Sequence, residues 1–279
     1  MRLTTELIDK DGKKIGTIDL PYIFYTPFRP EVIHKSYVNI LSHSFQNQGR
    51  YPAAGEVVSA ESRNTGLGIS RIARARGEGF ARAGQAAGVA GVRHGRVAHP
   101  PISSKITYKK INKQEKRLAL YSAIAATSRE DLIKKRGHRI SQSSSTSYPI
   151  VVTNEIESIS KTKELIRTLM SLGLKEELVR TSVTYHKNSR VSRGTRRSSR
   201  SGVGVLLVVG KEKSPICKLR RSIAGVDIKQ VNRVNILDFA PGSRPIRLTI
   251  FTQNAIDDLK GLSPLHRVEQ VISRNEQKK

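Results

Sequence analysis

Between residues 71 and 110 the chain runs for forty residues with nine Lys/Arg, a single acid (Glu78) and hardly any hydrophobic period. The heart of this stretch, RIARARGEGFARAGQAAGVAGVRHGRVAHPP, mixes Arg, Gly and Ala and matches neither a helix nor a strand template. Such a segment buries too little apolar area to offset its ordering entropy, so alone in water it is expected to be disordered. Helix-like and strand-like patterns stand on both sides of it, so it is an internal loop. An Arg/Gly loop in that position is best explained by a polyanion that orders it, and folded RNA is the polyanion this reading favours.

The charge balance points the same way. Lys and Arg number 50 against 23 acids, a formal charge of +27 that attracts nucleic acid or an anionic membrane whatever the fold. No apolar run approaches the ~20 residues needed to span a bilayer; the longest, 203–209, is strand-sized. The start, MRLTTELIDKDGKK, lacks the apolar stretch of a secretory signal. Cys217 is the only cysteine, which rules out an intrachain disulfide and a cysteine-based zinc site, and fits a reducing cytoplasm. The 279 residues suffice for one large or two ordinary domains with a proper core.

Around the loop the patterns are regular. Residues 1–20 alternate about Asp11-Gly12 and predict a hairpin burying Leu3, Leu7, Ile15 and Ile18. Three prolines make 21–30 extended, and residues 32–48 repeat at helical spacing. Ten of the 21 glycines lie between 49 and 110, where backbone must turn sharply or approach a ligand closely. Order returns at Asn112 with a helical stripe from Leu118 to Ala126, then a short helix over 129–136 stopped by Gly137. Beyond a Ser-rich connector (141–147), strands over 149–153, 203–209, 226–228, 234–237 and 247–251 alternate with helices over 161–172 and 254–260. The run GVLLVVG is apolar on both faces, as buried parallel strands are. The fold class expected is α/β: an open, mostly parallel sheet with flanking helices, interrupted by the long Arg/Gly-rich loop.

An α/β sheet raises the possibility of an enzyme, but the parts are missing. Gly66-Leu67-Gly68 and Gly77-Glu78-Gly79 lack the third glycine and the strand-to-helix setting of a dinucleotide fingerprint, and no phosphate-loop signature exists. His94 and His99, the closest pair of the seven histidines, have no carboxylate nearby to complete a metal set. Cys217 follows Pro215 closely, with no base in sight, and reads as a packed small residue. No metal and no cofactor is expected.

A second basic stretch, 180–211, contains no acid at all: Lys187, Arg190, Arg193, Arg196, Arg197 and Arg200 stand among serines directly before the buried strand. A solvated surface loop is the bland explanation. The lack of compensating acids favours phosphate, where each neutralised charge releases counterions. In the long loop Arg71, Arg74, Arg76, Arg82, Arg93 and Arg96 could simply keep an insertion soluble. Yet no Lys occurs there before Lys105, and Arg both forks onto phosphate and stacks on bases, which suggests shaped recognition.

Several ordered motifs carry a resemblance. AESRNTG (60–66), GRVAHPP (95–101), RLALYSAIAATSREDLIKKRGH (117–138), SIAGVDI (222–228), NILDFAPGS (235–243) and RLTIFTQNAIDDL (247–259) together resemble the large-subunit ribosomal protein L-four family, of archaeal and eukaryotic type. The resemblance implies a structural, non-catalytic protein whose globular domain (1–48 and 111–272) sits on the subunit surface. Its extended loop (49–110) would thread into large-subunit rRNA, and residues 273–279 would form a tail. It further implies a loop tip at the nascent-peptide exit tunnel, aligned here with Arg74, Ala75, Arg76, Gly77, Glu78 and Gly79. With the charge argument, the expected rRNA contacts are Arg63, Asn64, Arg71, Arg74, Arg76, Arg82, Gln85, Arg93, His94, Arg96 and Lys105 in the loop. The second stretch adds Lys187, Arg190, Arg193, Arg196, Arg197 and Arg200. The implied partners are large-subunit rRNA, neighbouring large-subunit proteins and the nascent peptide, with no membrane. The family often has an aromatic at the position of Arg63, and this chain has no Trp. An RNA-modifying or nucleotide-binding α/β enzyme and a general DNA-compacting protein remain the alternatives at this point.

Overall fold

A computed structural model describes residues 3–140, 147–189, 202–210, 214–244 and 246–262, with backbone alone for 184–189 and 262. The chain forms two compact units, Met1–Leu41 with Lys110–Lys279, and Ser42–Lys109.

The first unit is built on a six-stranded sheet of order β2-β1-β5-β8-β6-β7. Strands β1 (Thr4–Ile8) and β2 (Lys14–Asp19) form an antiparallel hairpin around the Asp11-Gly12 turn. Strands β5 (Ile150–Val152), β8 (Thr249–Thr252), β6 (Leu206–Val209) and β7 (Asp227–Gln230) then run parallel to β1. The α/β class expected from the alternating pattern is thus the one observed.

Alternate strand residues feed two cores. Val151, Leu206, Val208 and Phe251 face helices α1 (Pro30–Ser42), α2 (Lys113–Ala126), α6 (Ile236–Phe239) and α7 (Gln253–Leu262). Ile150, Val152, Leu207, Val209 and Ile250 face α3 (Glu130–Arg136), α4 (Thr162–Ser171) and α5 (Lys175–Ser189). Strands covered on both faces must be apolar throughout, which explains the unbroken LLVV of β6. Local chemistry closes the helices: Asn112 caps α2 by accepting from the Gln114 N–H at 3.1 Å, and Gly137 ends α3 at φ 95°.

Several local expectations are corrected. Leu3, just before β1, is exposed at 41%, and Ile15 at 62% because β2 is an edge strand with a mostly open surface; Ile8 and Thr5 are buried instead. Residues 22–25 are not extended but form a 3-10 turn that buries Ile23 and Phe24. Helix α1 begins at Pro30, since proline suits the first turn, and stops at Ser42, short of the expected Gln48. The strand expected at 234–237 is helix α6, nucleated by a capping box in which Asn235 and Asp238 exchange side-chain and backbone hydrogen bonds. Residues 175–189, whose second half reads as loop in sequence, form helix α5.

Candidate nucleic-acid interface

Residues 42–109 are not featureless, contrary to the lack of any strand template. Strands β3 (Ala60–Ser62) and β4 (Ala73–Ala75) pair antiparallel, with Glu61 opposite Arg74. The 84–87 segment adds to the other side of β4: the Ala75 N–H donates to the Gln85 carbonyl and the Ala87 N–H to the Ala73 carbonyl, both at 2.9 Å. Glycine enables the tight packing here. A Cβ on Gly95 would lie 2.1 Å from the Val89 carbonyl oxygen, and Gly55 has φ 85° beside the Arg96 backbone.

This small framework buries very little. Ala75 and Ala87 are the only buried hydrophobic residues of the unit. Eleven large apolar side chains are exposed, among them Phe45, Tyr51, Phe80 and Tyr108. A sequence pattern could not reveal these aromatic faces, because exposure depends on how the loop folds back on itself.

The expected contact residues in this unit are displayed outward. Arg63, Asn64, Arg71, Arg76, Arg82, Gln85, Arg93, His94 and Lys105 are exposed, and Arg74 and Arg96 are half-buried. Arg76 pairs with Glu61, and Arg96 reaches Glu56 at 3.4 Å. Among the described residues the other loop arginines and Lys105 have no carboxylate partner. Arg74 donates through Nη1 to the Gly84 carbonyl at 3.0 Å, while its buried Nε finds no acceptor among the described residues. Arg82 donates to the Arg93 carbonyl at 3.0 Å. His94 holds a left-handed backbone at φ 59°. Of the aligned tip, Arg74 and Ala75 lie in β4, and Arg76, Gly77, Glu78 and Gly79 follow it as exposed chain.

The second basic stretch starts on α5. Arg180 there is not a free surface charge: it forks onto Glu177 at 2.8 and 2.6 Å and donates to the Val203 carbonyl at 2.7 Å. Glu177 also accepts from His138 Nδ1 at 2.6 Å and from the Arg139 N–H at 3.0 Å. Burial alone would raise the Glu177 carboxyl, yet the hydrogen bonds from Arg180, His138 and Arg139 hold it down at about 2. The Leu248 N–H donates to His138 Nε2 at 3.1 Å, so the proton sits on Nδ1 and the ring is neutral; burial accordingly lowers its pKa. Lys187 lies on α5 with its side chain outside the described residues. Arg190, Arg193, Arg196, Arg197 and Arg200 lie outside them altogether, as do 141–146 and the tail.

Arg247 anchors the strand ends beside this network. Its buried guanidinium donates to the carbonyls of Gly204, Val205 and Gly225 and to Asp227. Among the described residues no group of three or more His, Cys, Asp or Glu could hold a metal ion, and no helix is long and apolar enough to cross a membrane.

Comparison with known proteins accounts for this architecture. The sequence pattern of the Ribosomal protein L4/L1 family matches residues 18–262. The large ribosomal subunit protein uL4 of Saccharolobus islandicus is 35% identical over 250 residues, covering 90% of this chain and 91% of that protein. The uL4 of Pyrobaculum aerophilum is 37% identical over 252 residues, covering 90% and 87%. That of Sulfolobus acidocaldarius is 35% identical over 256 residues, covering 91% and 92%. The parallel sheet, the arginine-rich unit inserted in the sequence and matches over about nine-tenths of the chain agree: the chain belongs to the ribosomal protein L4/L1 family, structural and non-catalytic components of the large ribosomal subunit in the cytoplasm, whose partners are rRNA and other ribosomal proteins.

Proposed function

We propose that residues 42–109 penetrate folded large-subunit rRNA and that residues 74–79 line the nascent-peptide exit tunnel. The observation that carries the first part is the imbalance within the unit: two buried alanines against eleven exposed large apolar side chains and a surplus of unpaired arginines. Such a surface is costly in water. Against RNA it is favourable, because guanidinium groups meet phosphate and aromatic faces meet unstacked bases. The acid-free stretch 180–211, with Lys187, Arg190, Arg193, Arg196, Arg197 and Arg200, supplies a second phosphate contact. Glu78, exposed and the one acid among residues 71–110, sits where passing peptide would meet it.

The test is binding of the full chain to deproteinised large-subunit rRNA across a salt series. Six or more phosphate contacts give a log–log slope of roughly −0.7 to −0.9 per contact. A slope worth one or two contacts would refute the basic segments as the interface. Hydrogen exchange adds a second criterion: amides of 42–109 should exchange fast in free protein and slowly on rRNA. For the tunnel, a photocrosslinker at Glu78 should capture nascent chains on stalled ribosomes; capture only of rRNA would place the tip elsewhere.

A further inference from the structure

We propose that the amino-terminal edge of the parallel strands is a separate RNA site, where Arg139, Arg221 and Arg244 hold phosphates of an unpaired strand and the adjoining cavity receives one of its bases. The inference rests on the reading that the chain binds large-subunit rRNA; its three phosphate contacts lie outside both basic stretches of the sequence, while Ser182, Gly202 and Val203 of the cavity fall within 180–211.

Three observations converge. The first is a concentration of guanidinium groups at one edge of the sheet. Arg247 leads into β8, Arg180 bonds the chain before β6, and Arg136 donates to the carbonyls of Pro241 at 2.9 Å and Arg244 at 3.3 Å. Arg139, Arg221 and Arg244 have exposed side chains with no ion pair among the described residues. Among the described residues the carboxylates felt at this edge, Glu177, Asp227 and Asp238, are engaged by Arg180, Arg247 and Lys229. Crowding is felt: burial together with Arg247, Arg180 and Arg244 lowers the Arg136 pKa to about 10. An external anion would relieve that repulsion.

The second observation is a cavity of about 510 Å³ at the same edge, lined by Ser182, Val203, Arg221, Ala224, Asp227 and Arg247 among others. That volume falls within the roughly 300–1,000 Å³ of small-ligand sites. Arg247 is already engaged with Asp227, so Arg221, beside the aliphatic Val203 and Ile223, offers the guanidinium plane on which a splayed-out base would stack. The third is strain. Arg221 sits at φ 64°, a conformation a long side chain adopts only where its surroundings enforce it.

The opposite edge differs in charge. Asp9, Glu155 and Glu157 follow the carboxyl ends of β1 and β5, which is where ligands of open α/β sheets usually bind. Glu155 there pairs with Lys10 at 3.0 Å and Glu157 is buried, accepting from the Gly210 N–H and Thr252 Oγ1. What distinguishes the amino-terminal edge is its three exposed guanidinium groups without an ion pair among the described residues.

The experiment compares the full-length wild type with an edge variant (Arg139→Gln, Arg221→Gln, Arg244→Gln) and a loop variant (Arg71→Gln, Arg82→Gln, Arg93→Gln). The probe is deproteinised large-subunit rRNA in a salt series. The edge variant should lose about 2 from the salt slope, three contacts at ~0.7 each. Arg221→Gly provides a folding control: relief of the left-handed strain should raise the melting temperature while affinity falls at least two-fold. Ala224→Phe, which fills the cavity without changing charge, should also weaken binding; unchanged affinity would overturn the base pocket. If the loop variant weakens binding and the edge variant matches wild type, the edge site is refuted while rRNA binding stands. If wild type shows no salt-sensitive preference for this RNA, the broader reading fails first.

Discussion

Replacing Glu177 by Gln tests the buried network that joins α3, α5 and the start of β8. All four hydrogen bonds at the carboxylate are received: His138 Nδ1 and Arg180 Nη2 at Oε1, both 2.6 Å, and Arg139 N and Arg180 Nε at Oε2, 3.0 and 2.8 Å. A Gln amide offers a donor where a donor already points, so one bond becomes a clash and Arg180 loses its counter-charge. Removing one partner of a buried pair costs about 3–5 kcal/mol. The Glu177 side chain is 0% exposed but that of Arg180 is 23%, which places the cost at the lower end, about 3 kcal/mol. An independent route agrees: moving a carboxyl from 4.5 to about 2 stores about 3 kcal/mol by linkage, somewhat less where water reaches Arg180. The folded pKa lies below the unfolded one, so this stability is complete above about pH 5 and drains away as pH falls toward 2. Urea denaturation followed by circular dichroism is the assay. With a slope of about 2 kcal/mol per molar, the midpoint at pH 7 should drop by about 1.5 M, and at pH 3 by less than half of that. A drop under about 0.3 M at pH 7, or one that is the same at pH 3, would refute the argument.

Three further outcomes follow from the same geometry. His138 is buried and neutral with a lowered pKa, so its contribution is intact above pH 6.5 and shrinks as pH falls below; His138→Gln should flatten the stability profile there, measured by thermal melting. Arg247→Lys keeps the charge but cannot reach three carbonyls and Asp227 from one ammonium group, and should cost about 3 kcal/mol in denaturant titration. Gly137→Ala, at φ 95° with open space around it, should cost about 1–2 kcal/mol of backbone strain alone; Gly225→Ala adds a 2.5 Å approach to the Gly202 carbonyl and should cost clearly more in the same titration.

Much of this protein is legible wherever one short stretch of chain decides the outcome. The buried strand at 206–209, the cap at Gly137, the helix after Asn112 and the charge surplus all follow from neighbours within a few residues. Legibility fails where a distant partner sets the environment. Ile15 alternates correctly yet faces outward, because only the sheet decides that β2 is an edge. Residues 234–237 look β-branched, yet Asn235 and Asp238 nucleate a helix that packs Phe239 on Phe251. Arg180 counts as one more cation in the sequence, while the structure spends it on Glu177 and leaves Arg139, Arg221 and Arg244 facing outward. Composition and periodicity, being local sums, determined that the chain is a basic α/β protein with an arginine-rich insertion. Which cations are neutralised, and which gather from positions 108 residues apart at one edge of a sheet, was decided by tertiary structure, because pairing and burial depend on distances through space.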